Sequence, residues 1–203
     1  MNDMDKLETD RTRRRLLIGT TSVVGGAGVV AMATPFVLSM FPSARAKAAG
    51  APVEVDISKL EPGMMITQEW RGQPVWVVHR TPAMMEQLTK NAHLLSDPLS
   101  DKSDQPENCK NVYRAVPGHE PILVVVGICT HLGCSPTEKM RAGNDGGMGT
   151  DWPGGFLCPC HGSKYDLSAR VFKGMPAPLN MRVPPHVYLG GNRLLVGADK
   201  KGG

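Results

Sequence analysis

The apolar positions of this chain fall into two regimes. From Leu16 to Ala44 a run of 29 residues carries no charged side chain and is rich in Leu, Ile, Val, Met, Gly and Ala. About 20 apolar residues suffice to cross the hydrocarbon core of a bilayer, so the run predicts a transmembrane helix over 16–41. It is too long to read as an ordinary buried core helix. Lys6, Arg11, Arg13, Arg14 and Arg15 precede it. A basic cluster ahead of the first span keeps that end in the cytoplasm, which puts the rest of the chain on the far side of the membrane.

A cleaved export signal is the competing reading of the same residues. "ARAKA" at 44–48 offers small-x-small cleavage patterns, and Arg13-Arg14 followed by Leu16-Leu17 looks like a twin-arginine signal. Secretory apolar regions usually span about 7 to 15 residues, and this one is nearly twice that, so a retained anchor is expected. The twin-arginine route carries folded cargo, which suits a chain that acquires a cofactor before export. "PSARAKAAGAP" at 42–52 lacks any large apolar side chain and reads as a flexible hinge linker. Its reach is at most about 33 to 36 Å when extended.

Beyond residue 52 the pattern changes to β. "VEVDI" (53–57), "VWVVH" (75–79), "ILVVVGI" (122–128) and "RLLVG" (193–197) are short, β-branched and bounded by Gly, Pro or Asp. These runs predict an all-β head over 53–203. One helix is expected at 82–95, with Met84, Met85, Leu88, His93 and Leu95 forming one apolar stripe. "SDPLSDKSDQPENCKN" (96–111) is polar and turn-rich, and is expected as a surface excursion.

A net charge of +4, mixed along the chain, supplies no basic face of the kind that tracks a phosphate backbone, so nucleic acid is not an expected partner. Cysteine placement is more informative. Four of the five cysteines lie in "CTHLGC" (129–134) and "CPCHGSKYD" (158–166). Each stretch can present one thiolate and one imidazole on a tight turn, giving four ligands from two segments. Cys134 and Cys160 are left over, one per segment, and two spare cysteines on neighbouring loops in an oxidising space can close a disulfide.

Zinc bound by two cysteines and two histidines is one reading of such a set. The Cys-x-His spacing is tighter than that of ordinary zinc fingers, and zinc alone does not explain two further cysteines in register. A thiol-disulfide oxidoreductase is another reading, but reactive pairs have two residues between the cysteines, whereas Cys158 and Cys160 are separated by one.

The two boxes closely resemble those of the Rieske iron-sulfur proteins, which read C-T-H-L-G-C and C-P-C-H-G-S-x-Y-D. The likeness extends to the anchor, the linker, the Pro-rich "GMPAPLN" (174–180) and the C-terminal "RVPPHVYL", and so covers most of the chain. Within that family the chain is similar to the Rieske subunits of bacterial ubiquinol-cytochrome c reductase.

The resemblance implies one Rieske-type 2Fe-2S cluster, with Cys129 and Cys158 on one iron, His131 and His161 on the other, and a disulfide between Cys134 and Cys160. It implies a mostly antiparallel head with a small cluster-binding subdomain at about 127–180. Ser163 and Tyr165 are implied as hydroxyl donors to the sulfurs, and His161 and His131 as the groups facing quinol. Leu132, Gly133, Pro176 and Pro178 are implied as an apolar docking collar. The partners implied are a cytochrome b subunit, a membrane-bound c-type cytochrome, ubiquinol and the lipid bilayer, in a dimeric complex of the bacterial inner membrane with the head in the periplasm. A movement of the head between quinol and haem would give the linker a purpose.

Two ferric ions, two sulfides and two thiolates sum to zero charge, whereas four thiolates would leave minus two, so histidine ligation makes electron uptake easier. Rieske centres are known to work at about −150 to +300 mV, against about −400 mV for plant-type ferredoxins. A b6f-type quinol oxidoreductase would use a similar subunit, and a zinc-binding module without redox function is the alternative from a different class. "TEKMRAGNDGGMGTDWPGG" (137–155) lengthens the gap between the boxes and has no counterpart in the family pattern. Cys109 is expected as a small buried residue, and His79, His93, His119 and His186 as ordinary core or surface histidines.

Overall fold

The computed structural model describes residues 3–43 and 50–198. It divides into two units, with a boundary between Ala48 and Ala49. The linker expected at 42–52 falls mainly on residues 44–49, which lie outside the described residues.

The first unit is one helix, α1 (Asp3–Ser39). Its segment Asp10–Ser39 has 30 residues and contains an 18-residue window of mean hydropathy 1.8. At 1.5 Å per residue that is about 45 Å of helix, more than the roughly 30 Å of a bilayer's hydrocarbon core. Helical geometry therefore extends back from the apolar run into the basic segment. Pro35 lies inside α1, where the Thr34 hydroxyl donates to the Val30 carbonyl at 2.7 Å.

The second unit holds three antiparallel three-stranded sheets. The strands are β1 (Val53–Asp56), β2 (Met65–Trp70), β3 (Gln73–His79), β4 (Ile122–Val126), β5 (Thr137–Lys139), β6 (Gly155–Leu157), β7 (Lys164–Tyr165), β8 (His186–Gly190) and β9 (Arg193–Val196). They pair in the orders β1-β9-β8, β2-β3-β4 and β5-β6-β7.

The middle sheet has a core on each side. Successive side chains of a strand point to opposite faces. Val75 and Val77 of β3, with Ile122, Val124 and Val126 of β4, pack with Val55, Leu194 and Val196. Trp76, Val78, Leu123 and Val125 pack on the other side with Cys129, Phe156, Cys158 and Tyr165. Burial on both faces explains why these strands read as unbroken apolar runs rather than alternating ones. Trp76 stacks on Phe156 of β6 with ring centroids 5.2 Å apart, so the wall of the sheet reaches under the second cysteine box. Where β4 ends, Gly127 passes over that indole: a Cβ there would sit 2.2 Å from a Trp76 ring carbon.

Helix α2 (Pro82–Lys90) starts at Thr81, whose hydroxyl accepts from Met84 N at 3.3 Å, with Pro82 in the first turn. It stops earlier than the expected 82–95. The Asn91 side chain donates to the Gln87 carbonyl at 3.1 Å, and a 3-10 turn (Ala92–Leu94) follows. Leu95 is then extended, bridging to Phe172.

The segment 96–111 is not a mere surface excursion, and that expectation is corrected. Ser100 and Cys109 are fully buried, and Asp97 and Ser103 nearly so. The Asp97 carboxylate accepts from Asp101 N, Lys102 N and the Ser103 hydroxyl, so the polar residues satisfy one another inside the protein.

Arginines complete the attachment. Arg80, Arg114 and Arg170 are each at most 1% exposed. Arg170 pairs with Asp166 at 2.7 Å and donates to the carbonyls of Pro98 and Leu88, both at 2.8 Å. Arg114 donates to Gln105 Oε1 and to the carbonyls of Ser168 and Ala169. Arg80 donates to the Ser168 hydroxyl and to the carbonyls of Tyr113 and Glu120. The turn 166–170, directly after the second box, is thereby fastened to 98–120.

The stretch 137–155 is partly regular. Its ends are β5 and the first residue of β6, which pair with each other, and the Gly-rich part is the connecting loop. Trp152 anchors that loop, buried, with its indole N–H donating to the Lys139 carbonyl at 2.7 Å.

Candidate metal centre

Both boxes fold by the same local rule. In the first, Cys129 N donates to the Cys134 carbonyl at 2.8 Å and Gly133 N to the Cys129 carbonyl at 3.1 Å. In the second, Cys158 N donates to the Ser163 carbonyl at 2.8 Å and Gly162 N to the Cys158 carbonyl at 2.9 Å. Gly133 and Gly162 both have positive φ, 84° and 74°, a conformation that a β-carbon disfavours. Each box is thus a self-closed loop leaving the end of a strand, β4 on one side and β6 on the other.

These loops bring the expected residues together. Cys129 and Cys158 are free thiols, each 2% exposed. The imidazoles of His131 and His161 meet edge to face, centroids 4.7 Å apart and planes at 84°. His131 is half-buried and His161 exposed. Cys134 and Cys160 form a disulfide across the two loops, with Cα atoms 6.7 Å apart. The sulfurs of Cys134, Cys158 and Cys160 all lie within 4.8 Å of one another, so the disulfide is immediately beside one free thiol.

Two features fit this set to a metal-sulfide group. The Nδ1 atom of His131 is buried with no hydrogen-bond partner among the described residues, which is costly unless something absent accepts or coordinates it. Burial, with the neighbouring Cys129 thiol adding to it, pushes the Cys158 thiol above its ordinary value. A metal cation favours the thiolate and so opposes that shift. Two thiols and two imidazoles are the donor set of a mixed-ligand iron-sulfur centre.

The surrounding hydroxyls are oriented. Tyr165 OH donates to Cys129 Sγ at 3.1 Å. Ser163, fully buried, accepts from Ala177 N at its hydroxyl oxygen at 3.1 Å. Leu132 is 71% exposed, and Gly133, Pro176 and Pro178 are also exposed. Sequence reasoning missed two residues here. Thr130 holds the Tyr165 hydroxyl through its backbone N–H at 3.2 Å and donates to the Leu179 carbonyl at 2.6 Å. Asn180 is buried at the end of the Pro-rich loop. Both stand inside quoted motifs, Thr130 between two ligand candidates, but neither residue type advertises a role without its contacts.

Known proteins resemble this chain over most of its length. The family described as Rieske [2Fe-2S] domain matches residues 99–185, and the one described as Ubiquitinol-cytochrome C reductase Fe-S subunit TAT signal matches residues 4–43. The chain is 55% identical over 191 residues to the ubiquinol-cytochrome c reductase iron-sulfur subunit of Allochromatium vinosum, covering 94% of this chain and 91% of that one. Its counterpart from Blastochloris viridis is 42% identical, over 93% of this chain and 94% of its own. Among solved structures, a chain titled Hyperthermophilic respiratory Complex III aligns at 28% identity over 89% of this chain and 98% of its own, with a TM-score of 0.46. The assignment rests on the sequence relatives, and by them this chain, with its Rieske [2Fe-2S] domain, belongs to the family of ubiquinol-cytochrome c reductase iron-sulfur subunits.

Proposed function

We propose that the chain takes one electron and one proton at a time from ubiquinol and delivers the electron to a membrane-bound c-type cytochrome, within a complex that also contains a cytochrome b subunit. The observation that carries this reading is the pairing of two buried free thiols with a buried, unpartnered His131 Nδ1, on loops whose other imidazole, His161, is exposed. Cys129 and Cys158 would hold one iron, and His131 and His161 the other. When bound, the cluster supplies a one-electron acceptor whose oxidised form is neutral, and which is therefore easier to reduce than an all-thiolate one.

The chain's own residues do the rest. Cys129 and Cys158 sit in the apolar core and exclude water from the thiolate side. His161, at the accessible tip, accepts a hydrogen bond from the quinol hydroxyl and receives its proton. Exposed Leu132, Pro176 and Pro178 form an apolar rim of the kind that marks protein contacts, and would seat the tip against cytochrome b. α1, retained after export, would hold the chain in the inner membrane with the head, residues 53–203, in the periplasm. Movement of that head would carry the electron between the two partners.

Electron paramagnetic resonance of the reduced protein, together with iron and acid-labile sulfide analysis and co-purification with b- and c-type haems, tests the reading. A mixed-ligand iron-sulfur signal accompanying both haems is expected. Zinc without labile sulfide would sink it.

A further inference from the structure

Asn180 is 1% exposed, yet its side chain is saturated with partners. Its Nδ2 donates to the Asp97 carbonyl at 2.9 Å and to Ser100 Oγ at 2.8 Å, and its Oδ1 accepts from Val171 N at 2.8 Å. Its backbone N–H donates to Ser103 Oγ at 3.2 Å. A buried amide satisfied from three directions fixes the chain that carries it, because moving it leaves several buried groups unpaired at once.

What Asn180 terminates is the 174–180 loop. That loop touches the metal centre at two further points. Ala177 N donates to Ser163 Oγ at 3.1 Å, and the Leu179 carbonyl accepts from Thr130 Oγ1 at 2.6 Å. A serine hydroxyl has one hydrogen to give and lone pairs to receive. With Ala177 N on a lone pair, the Ser163 hydrogen has no acceptor among the described residues, although the side chain is fully buried. An acceptor is what it lacks, in the box that the Ser163 carbonyl closes by accepting from Cys158 N.

We propose that Asn180 is a positioning residue for electron transfer: by pinning the 174–180 loop to the 97–103 segment it holds Ala177 N against Ser163 and so directs the serine hydrogen at a cluster sulfur. The inference rests on the reading of Ser163 as a donor to the cluster. It also gives the buried polar segment at 97–103 a part in setting the potential, since that segment supplies three of the anchoring contacts of Asn180.

The test is a redox titration of the full chain in its complex, followed spectroscopically, in four forms: unmodified, Ser163→Ala, Asn180→Ala and the double variant. Asn180→Ala is expected to lower the midpoint potential when Ser163 is present and to produce no additional fall in the Ser163→Ala background, with iron content unchanged. Non-additivity of this kind is the signature of two residues acting through one interaction. Equal falls in both backgrounds, or no fall in either, overturn the inference. A Ser163→Ala protein with an unchanged potential removes instead the donor reading beneath it. Should Asn180→Ala fail to accumulate, Ser100→Ala, which deletes one acceptor of the amide, goes through the same four-way comparison with the same expected and overturning results.

Discussion

The Tyr165 hydroxyl lies 3.1 Å from the Cys129 sulfur, and Thr130 N donates to that same hydroxyl oxygen at 3.2 Å. The backbone N–H occupies the oxygen's lone pair, so the phenolic hydrogen is turned toward sulfur. Burial, and next the contact with Cys129, pushes the phenol above its ordinary value, which keeps the hydrogen in place.

Replacing Tyr165 by Phe should therefore lower the midpoint potential while the cluster is retained. A hydrogen bond worth about 1.4 kcal/mol in favour of the reduced state corresponds to about 59 mV for one electron. Redox titration measures this directly, and an unaltered potential would remove Tyr165 from the tuning set.

Joint replacement of Cys134 and Cys160 by Ser should loosen the two loops without touching a proposed ligand. The bond spans a sequence separation of 26, for which loop closure in the unfolded chain suggests roughly 3.5 kcal/mol. Visible absorbance followed during a chelator challenge should decay faster in the variant. Equal decay would mean that the loops need no fastening.

Arg170→Met should be among the most damaging changes far from solvent. It removes the guanidinium 2.7 Å from buried Asp166 and leaves that carboxylate only the longer-range pull of Arg80 and Arg114. Stranding one partner of such a pair costs about 3 to 5 kcal/mol. The urea midpoint of the detergent-solubilised chain reports it, and a loss below about 1 kcal/mol would show that the carboxylate finds other support.

Acidification should weaken the head through His186. This imidazole is 4% exposed, and burial pushes it below its ordinary value, with His119 adding to the effect and a bond to the Pro184 carbonyl opposing it. His119 and Tyr188, stacked at 3.6 Å, are the titratable groups beside it. The unfolded imidazole takes a proton near pH 6.5, the folded one only lower, so stability is full above that value and falls as the pH drops through it. Unfolding midpoints at pH 8 and pH 5.5 should differ less in His186→Leu than in the unmodified chain. An equal difference would acquit His186.

The elements legible in the sequence are those whose side chains declare their surroundings. β3 and β4, buried on both faces, read as apolar runs, and the long uncharged run was visible as α1. β2 was not, because "MITQEW" mixes exposed, half-buried and buried positions at a sheet edge. β5 and β7, of three and two residues, exist through pairing with β6 rather than through their own pattern. At the metal centre the boxes announced cysteines and histidines, but not the contacts of Thr130 and Asn180. The burial of Asp97, Ser100 and Ser103 was hidden for a related reason. Polar composition ordinarily means solvent, and here those groups are satisfied by one another and by Asn180.

Because each box is closed by hydrogen bonds within itself, on a glycine that turns the backbone, the outline of the socket belongs to the polypeptide rather than to its contents. Delivery of iron and sulfide then demands little further ordering of chain. A receptacle of this sort can take up its contents once the chain has folded.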